Sequence, residues 1–171
     1  MLCLLGLSSE QLRSTPGTYS RKEIREMITR KNLFDKTMNI KGSFKNEYEV
    51  KIVENDKVVI DHSTNLIWHQ SGSTDFVALE RIEQYIEEVN KSKYAGYSDW
   101  RLPTIEELSS LLEPEKSEGL YVSPVFDRKQ IFCWSSDKDN SGSRWYIFFG
   151  GGTVWCDPYN FHGYVRPVRS M

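Results

Sequence analysis

The sequence predicts an α+β domain carried behind a short helical extension, and three observations lead to that reading. Helical spacing of apolar residues is confined to the first two thirds of the chain, at about 21–31, 75–89 and 104–112. From Pro114 onward only short β-like runs appear, joined by loops rich in Ser, Gly, Asp and Asn. Helices early and strands late, without alternating βαβ units, argue α+β rather than α/β. The five Trp, nine Tyr and eight Phe suggest a core of large rings with the remainder displayed on loops.

Residues 1–45 read as the extension and 46–171 as the domain. Met1–Leu7, MLCLLGL, is apolar but far too short to span a bilayer, and it lacks the basic flank and small-residue cleavage site of a complete signal peptide. Ser20 and Glu23 form a capping box ahead of Ile24, Met27 and Ile28, which predicts a helix over about 21–31. Residues 41–46 are polar and act as a linker. The runs 48–53 and 57–60 alternate around Asn55-Asp56 as a hairpin, and 66–70 is a third strand carrying Trp68.

A second helix begins at Thr74 or Asp75, with Phe76, Leu79, Ile82, Ile86 and Val89 on its apolar stripe and four glutamates facing solvent. Thr104 and Glu107 form another capping box, opening a helix to about Leu112. The last strands are expected at 130–134, 145–149, 153–156 and 164–168.

Chemistry-bearing motifs are few. The net charge of −2 and the even spread of Lys and Arg give no electrostatic footprint for a nucleic acid. Cys3, Cys133 and Cys156 make no C-x-x-C pair and no zinc spacing, so they read as thiols in a reducing compartment rather than as a Cys133–Cys156 disulfide. That favours a cytoplasmic location, with the cell surface open if the chain is part of a longer product. His62, His69 and His162 sit near no metal or nucleophile signature. The loop 137–143, DKDNSGS, offers Asp137, Asp139 and Asn140 to a calcium ion, but no closing Glu follows, and the favoured reading is a solvated loop. No cofactor and no metal are expected.

In GYSDWRLPT, Trp100 reads as core and Arg101 as a buried cation that needs carboxylate or carbonyl partners. Trp68, Trp134, Trp145 and Arg166 join them as structural residues. The segment 155–164, WCDPYNFHGY, differs in kind: rings interleaved with small hydrogen-bonding groups are the composition of a recognition surface. Its candidate ligand-binding residues are Trp155, Cys156, Asp157, Tyr159, Asn160, Phe161 and His162, together with Phe149.

TNLIWHQ, the helix with its acidic face, GYSDWRLPTIEEL, CWSS, RWYIFF and YVRPVR, in that order over 61–169, resemble the bacterial Lcl C-terminal-like family. That family is similar to the C-type lectin fold and to the formylglycine-generating-enzyme fold, and the resemblance implies two helices around a small antiparallel sheet with long loops. It opens three functions: a glycan-binding lectin or adhesin, a binding protein diversified by a retroelement, and an enzyme of the formylglycine-generating type. The enzyme needs a close cysteine pair for copper, whereas Cys133 and Cys156 are 23 positions apart. The calcium-dependent lectin motifs Glu-Pro-Asn, Gln-Pro-Asp and Trp-Asn-Asp are absent. Retroelements rewrite adenine-containing codons near the end of a gene, and every residue of 147–154 and 156–164 belongs to the set they can reach. The expectation is therefore a non-catalytic protein that presents its last loop to a protein or glycan ligand, in an oligomeric state the sequence does not specify.

Overall fold

The computed structural model describes residues 10–157 and 162–171, without the side chain of Asp157. Helix α1 (Arg21–Arg30) opens with the expected capping box, Ser20 accepting from the Glu23 amide while the Glu23 carboxylate accepts from the Ser20 amide. Its buried face is Ile24, Met27 and Ile28.

The chain then builds two antiparallel sheets where one was expected. Strands β1 (Tyr48–Val53), β2 (Asp56–Asp61), β3 (Leu66–His69) and β7 (Val168–Ser170) form a four-stranded sheet in that order. Strands β4 (Phe132–Lys138), β5 (Arg144–Phe148) and β6 (Thr153–Asp157) form a separate three-stranded sheet. The first hairpin turns at Glu54-Asn55, one residue earlier than the sequence suggested. Both residues have positive φ (51° and 74°), as a type I′ turn requires to match strand twist.

Two further boundaries moved. Helix α2 runs Ile82–Lys91 after a single 3₁₀ turn at Leu79–Arg81. Residues before it are held extended because the Val77 amide bonds the Gly163 carbonyl at 2.8 Å, which leaves Phe76 off the apolar stripe and 55% exposed. The closing strand is Val168–Ser170 rather than 164–168. Pro167 has no amide to give a ladder, and the residues before it make isolated bridges instead, Gly163 to Val77 and Tyr164 to Cys133.

Helix α3 (Ile105–Ser109) packs against β4 and β5 of the second sheet and against α1, capped by Thr104 and Glu107. It stops three residues short of the expected end in regular α geometry, and its Leu108 joins the main core with Leu111 and Leu112. That core also contains Trp68 and Trp145 from the two sheets and Ile24, Ile28, Leu33 and Phe34 from the N-terminal region. The extension is thus continuous with the domain interior. Asp35, fully buried, accepts from the Val154 amide at 2.8 Å and from Thr37 and Met38, so it ties the segment after α1 to β6.

Candidate functional site

The three-stranded sheet has two different faces because side chains alternate along each strand. Cys133, Trp145, Ile147 and Val154 turn inward to the main core, with Cys156 packed against it. The other face is aromatic. Across its centre Trp134 pairs with Tyr146, and Tyr146 with Trp155, one ring from each strand. A second row sets Phe132 against Phe148, stacked at 4.5 Å, with Thr153 beside them.

Burial falls along the central row. Trp134 is 0% exposed, Tyr146 9% and Trp155 39%. The β4 end is covered by Ile82 of α2 and by Gly163, where a Cβ would stand 2.7 Å from the Trp134 indole nitrogen, so only glycine fits. At the β6 end Trp155 donates its indole N–H to Thr153 Oγ1 at 2.7 Å, and the Arg21 guanidinium lies 5.2 Å from its ring. The edge of the sheet therefore displays a ring whose orientation is fixed before any ligand arrives.

The segment that leaves β6 re-enters the described structure at His162, which is exposed. Its ring lies 6.2 Å from Phe76, and Phe76 rests on Tyr164 at 4.6 Å. Beside Phe76 is a depression of about 340 Å³ whose polar lining includes Asp75, Arg81, Gln84 and Glu88. Exposed aromatics thus stand at both ends of the 157–162 segment.

Of the residues expected to meet a ligand, Phe149 is a correction. It is 0% exposed: one residue past β5 it continues the inward alternation of Trp145 and Ile147, its amide and carbonyl bonded to Ile131 and Tyr121, and its ring lies in the main core. Trp155 and Cys156 both belong to β6 and point to opposite faces, Cys156 sitting opposite Trp145. Tyr159, Asn160, Phe161 and the side chain of Asp157 lie outside the described residues. Phe76 was missed as a surface residue because it fits a helical period that the Val77–Gly163 bridge interrupts.

Most of the structural residues are held by specific polar partners. Trp100 is 2% exposed and donates its indole N–H to the Tyr94 carbonyl at 3.0 Å. Arg101 forms a two-pronged pair with the buried Glu107, at 2.8 and 2.6 Å. Trp68 is completely buried, and Trp145 donates its indole N–H to Tyr19 at 3.1 Å. Arg166, 1% exposed, donates to the carbonyls of His69, Gln70 and Asp127 and to Gln130 Oε1, with its guanidinium 4.8 Å from the centre of the Phe126 ring.

The calcium reading of the 137–143 loop fails at its first residue. Asp137 lies in β4, is 0% exposed and spends both oxygens on donors from other segments: Arg13, the Gly17 amide and the Ile105 amide. Asp139 is held below the usual carboxylate range mainly by Ser141, with the Ser143 amide adding to it. Cys133 is fully buried, and burial pushes its thiol up to about 11 against the opposing pull of Arg166. Cys133 and Cys156 are not bonded to each other. A groove of about 900 Å³ lies between residues 10–15 and α1, and two of its cations are already paired, Arg13 with Asp137 and Lys31 with Glu10. Among the described residues no helix is long and apolar enough to cross a membrane.

The family model of the Lcl C-terminal domain matches residues 57–169, about two thirds of the chain. No curated protein and no solved structure matches it.

Proposed function

The chain belongs to the Lcl C-terminal domain family, and on that footing we propose that it is a non-catalytic ligand-binding protein presenting its last loop on a C-type lectin-like scaffold. The observation that carries the proposal is the graded burial of Trp134, Tyr146 and Trp155 across one sheet face. Two rings anchor the row and the third is offered to solvent with its rotamer fixed. A preoriented aromatic at a sheet edge supplies contact area at small entropic cost. Phe76 and His162 stand together as a second pair of exposed rings where the chain re-enters the described residues. The cysteines give a catalytic reading little to work with, since the Cys133 thiol is protonated near neutral pH and out of a substrate's reach.

A glycan is the second reading, favoured by the depression beside Phe76, where a ring stands next to carboxylate, guanidinium and amide groups that suit sugar hydroxyls. In the retroelement form of the proposal the loop is diversified. A near-identical copy of the gene's 3′ end, differing at adenines and lying beside a reverse transcriptase gene, would support that form.

The test screens the full chain on a glycan array and a protein array, beside Trp155→Ala and Phe76→Ala. Binding by the wild type that falls at least tenfold in one variant, with unchanged melting, supports the proposal. Failure of the wild type to bind either array, or equal binding by both variants, overturns it.

A further inference from the structure

We propose that β1 is a dimerisation edge at which two copies of this chain join their four-stranded sheets into one. Among the described residues strand β1 pairs only with β2 and ends its sheet. Its ladder can be phased from two observations: the two-residue turn at Glu54-Asn55 makes Val53 and Asp56 a hydrogen-bonded pair, and the His62 amide bonds the Glu47 carbonyl at 2.9 Å. Residues 49, 51 and 53 therefore spend their amides and carbonyls on β2. Those of Tyr48, Val50 and Ile52 face outward, and among the described residues no backbone partner meets them.

The side chains on that edge are unusual for one left in solvent. Val50 is 48% exposed and Ile52 69%, both on the face that carries the buried Val59. An unpaired edge with branched apolar side chains is a template for another strand.

The occupant is a second copy because the sequence YEVKI is self-complementary about Val50. In an antiparallel pair with a two-fold axis at Val50, the outward groups come into phase. Val50 meets Val50 of the second copy, and Tyr48 meets Ile52, all in hydrogen-bonded positions. Glu49 then stands opposite Lys51 of the second copy, twice, at the non-hydrogen-bonded positions where side chains approach most closely. In the isolated chain Glu49 already attracts Lys51 at 3.3 Å and His62 at 2.9 Å. An isologous contact of this kind closes on itself and leaves no free β1 edge to propagate. The interface is a single strand per copy, below the usual size of a stable complex, so dissociation on the order of 10–100 μM is expected.

Sedimentation equilibrium of the full chain over a range of concentrations reads the outcome. The mass should move from 20.0 kDa toward twice that as concentration rises. Val50→Pro removes an amide that β2 does not use, is tolerated at an edge, and should weaken association at least tenfold without unfolding the chain. Lys51→Glu sets like charges opposite each other and should weaken it similarly, while Glu49→Lys with Lys51→Glu restores complementarity and the dimer. Circular dichroism of each variant confirms folding. A wild type monomeric throughout, or a dimer unchanged by both Val50→Pro and Lys51→Glu, overturns the proposal.

Discussion

Arg13 grips Asp137 across 124 positions of sequence, Nη1 donating to Oδ1 at 2.9 Å and Nη2 to Oδ2 at 2.7 Å. The same carboxylate accepts from the Gly17 amide at 2.7 Å and from the Ile105 amide at 2.8 Å. One buried side chain thus fastens the N-terminal segment and the first turn of α3 to β4. Arg13→Ala leaves Asp137 buried with its backbone donors but without its cation, and should cost about 3 kcal/mol. Asp137→Ala should cost more, because the guanidinium and two amides lose their acceptor together. Urea denaturation of both variants checks the ranking, and an Asp137→Ala variant as stable as the wild type would refute the fastening role.

A fragment of residues 46–171 should not fold cooperatively. Ile24, Ile28, Leu33 and Phe34 are buried in the same cluster as Trp68 and Trp145, each worth about 1.5–3 kcal/mol in burial. Their summed contribution is on the order of a small domain's entire stability. A fragment with a sharp thermal transition and native-like near-ultraviolet circular dichroism would show that the extension is dispensable.

Local signals in the sequence survived into the structure where they depend on near neighbours. Ser20 with Glu23 and Thr104 with Glu107 form both capping boxes as expected, because each is complete within four residues. What the sequence hid depends on distant partners. Asp137 looks like a loop residue until Arg13 and Ile105 arrive from elsewhere in the chain. Phe149 continues the inward alternation of Trp145 and Ile147 one residue past β5, and its strand does not say which face meets the core until the rest of the chain packs on it. The division into two sheets was likewise invisible, since nothing in a strand's own composition says which partner it takes. The surface at Trp155 was legible as aromatic, but the opposed directions of Trp155 and Cys156 became clear only once both fell within β6.

Trp100 and Arg101 stabilise the region after α2 by different means, and their variants should differ accordingly. Trp100→Ala removes a ring packed beside Val58, Ile60 and Ile67 and should cost about 3–5 kcal/mol. Asn90, which brackets the Trp100 backbone with bonds at 2.7 and 2.8 Å, is left holding a loop without its anchor. Arg101→Met keeps the stem but strips the buried Glu107 of its cation, for about 3 kcal/mol. The Arg101→Met deficit should shrink when Glu107→Gln is added, since the amide no longer needs a positive partner. A double-mutant cycle with no coupling would mean that Glu107 is satisfied by the Thr104 cap alone.

His69 should make the fold sensitive to acid. Its ring is buried, stacks on Tyr94 with 3.7 Å between centroids, and accepts the Gly72 amide on Nδ1 at 2.9 Å, which places its proton on Nε2. Burial first, and the nearby Arg166 second, pull its pKa from 6.5 down to about 3. The unfolded chain therefore binds a proton on this residue below pH 6.5 that the folded chain refuses until about pH 3. The stability that neutral His69 contributes is fully present above pH 6.5 and falls as pH drops through that window, by up to about 1.4 kcal/mol per pH unit. Asp61 and Glu113, whose pKa values burial raises, act in the opposite sense, so the wild-type curve alone does not isolate the histidine. His69→Asn retains an acceptor for Gly72 and removes the titration. Chemical denaturation between pH 4 and pH 7, taken at the neutral end as a common reference, should give a flatter stability profile for His69→Asn than for the wild type. Parallel profiles would mean that His69 takes up its proton in the folded state as readily as in the unfolded one.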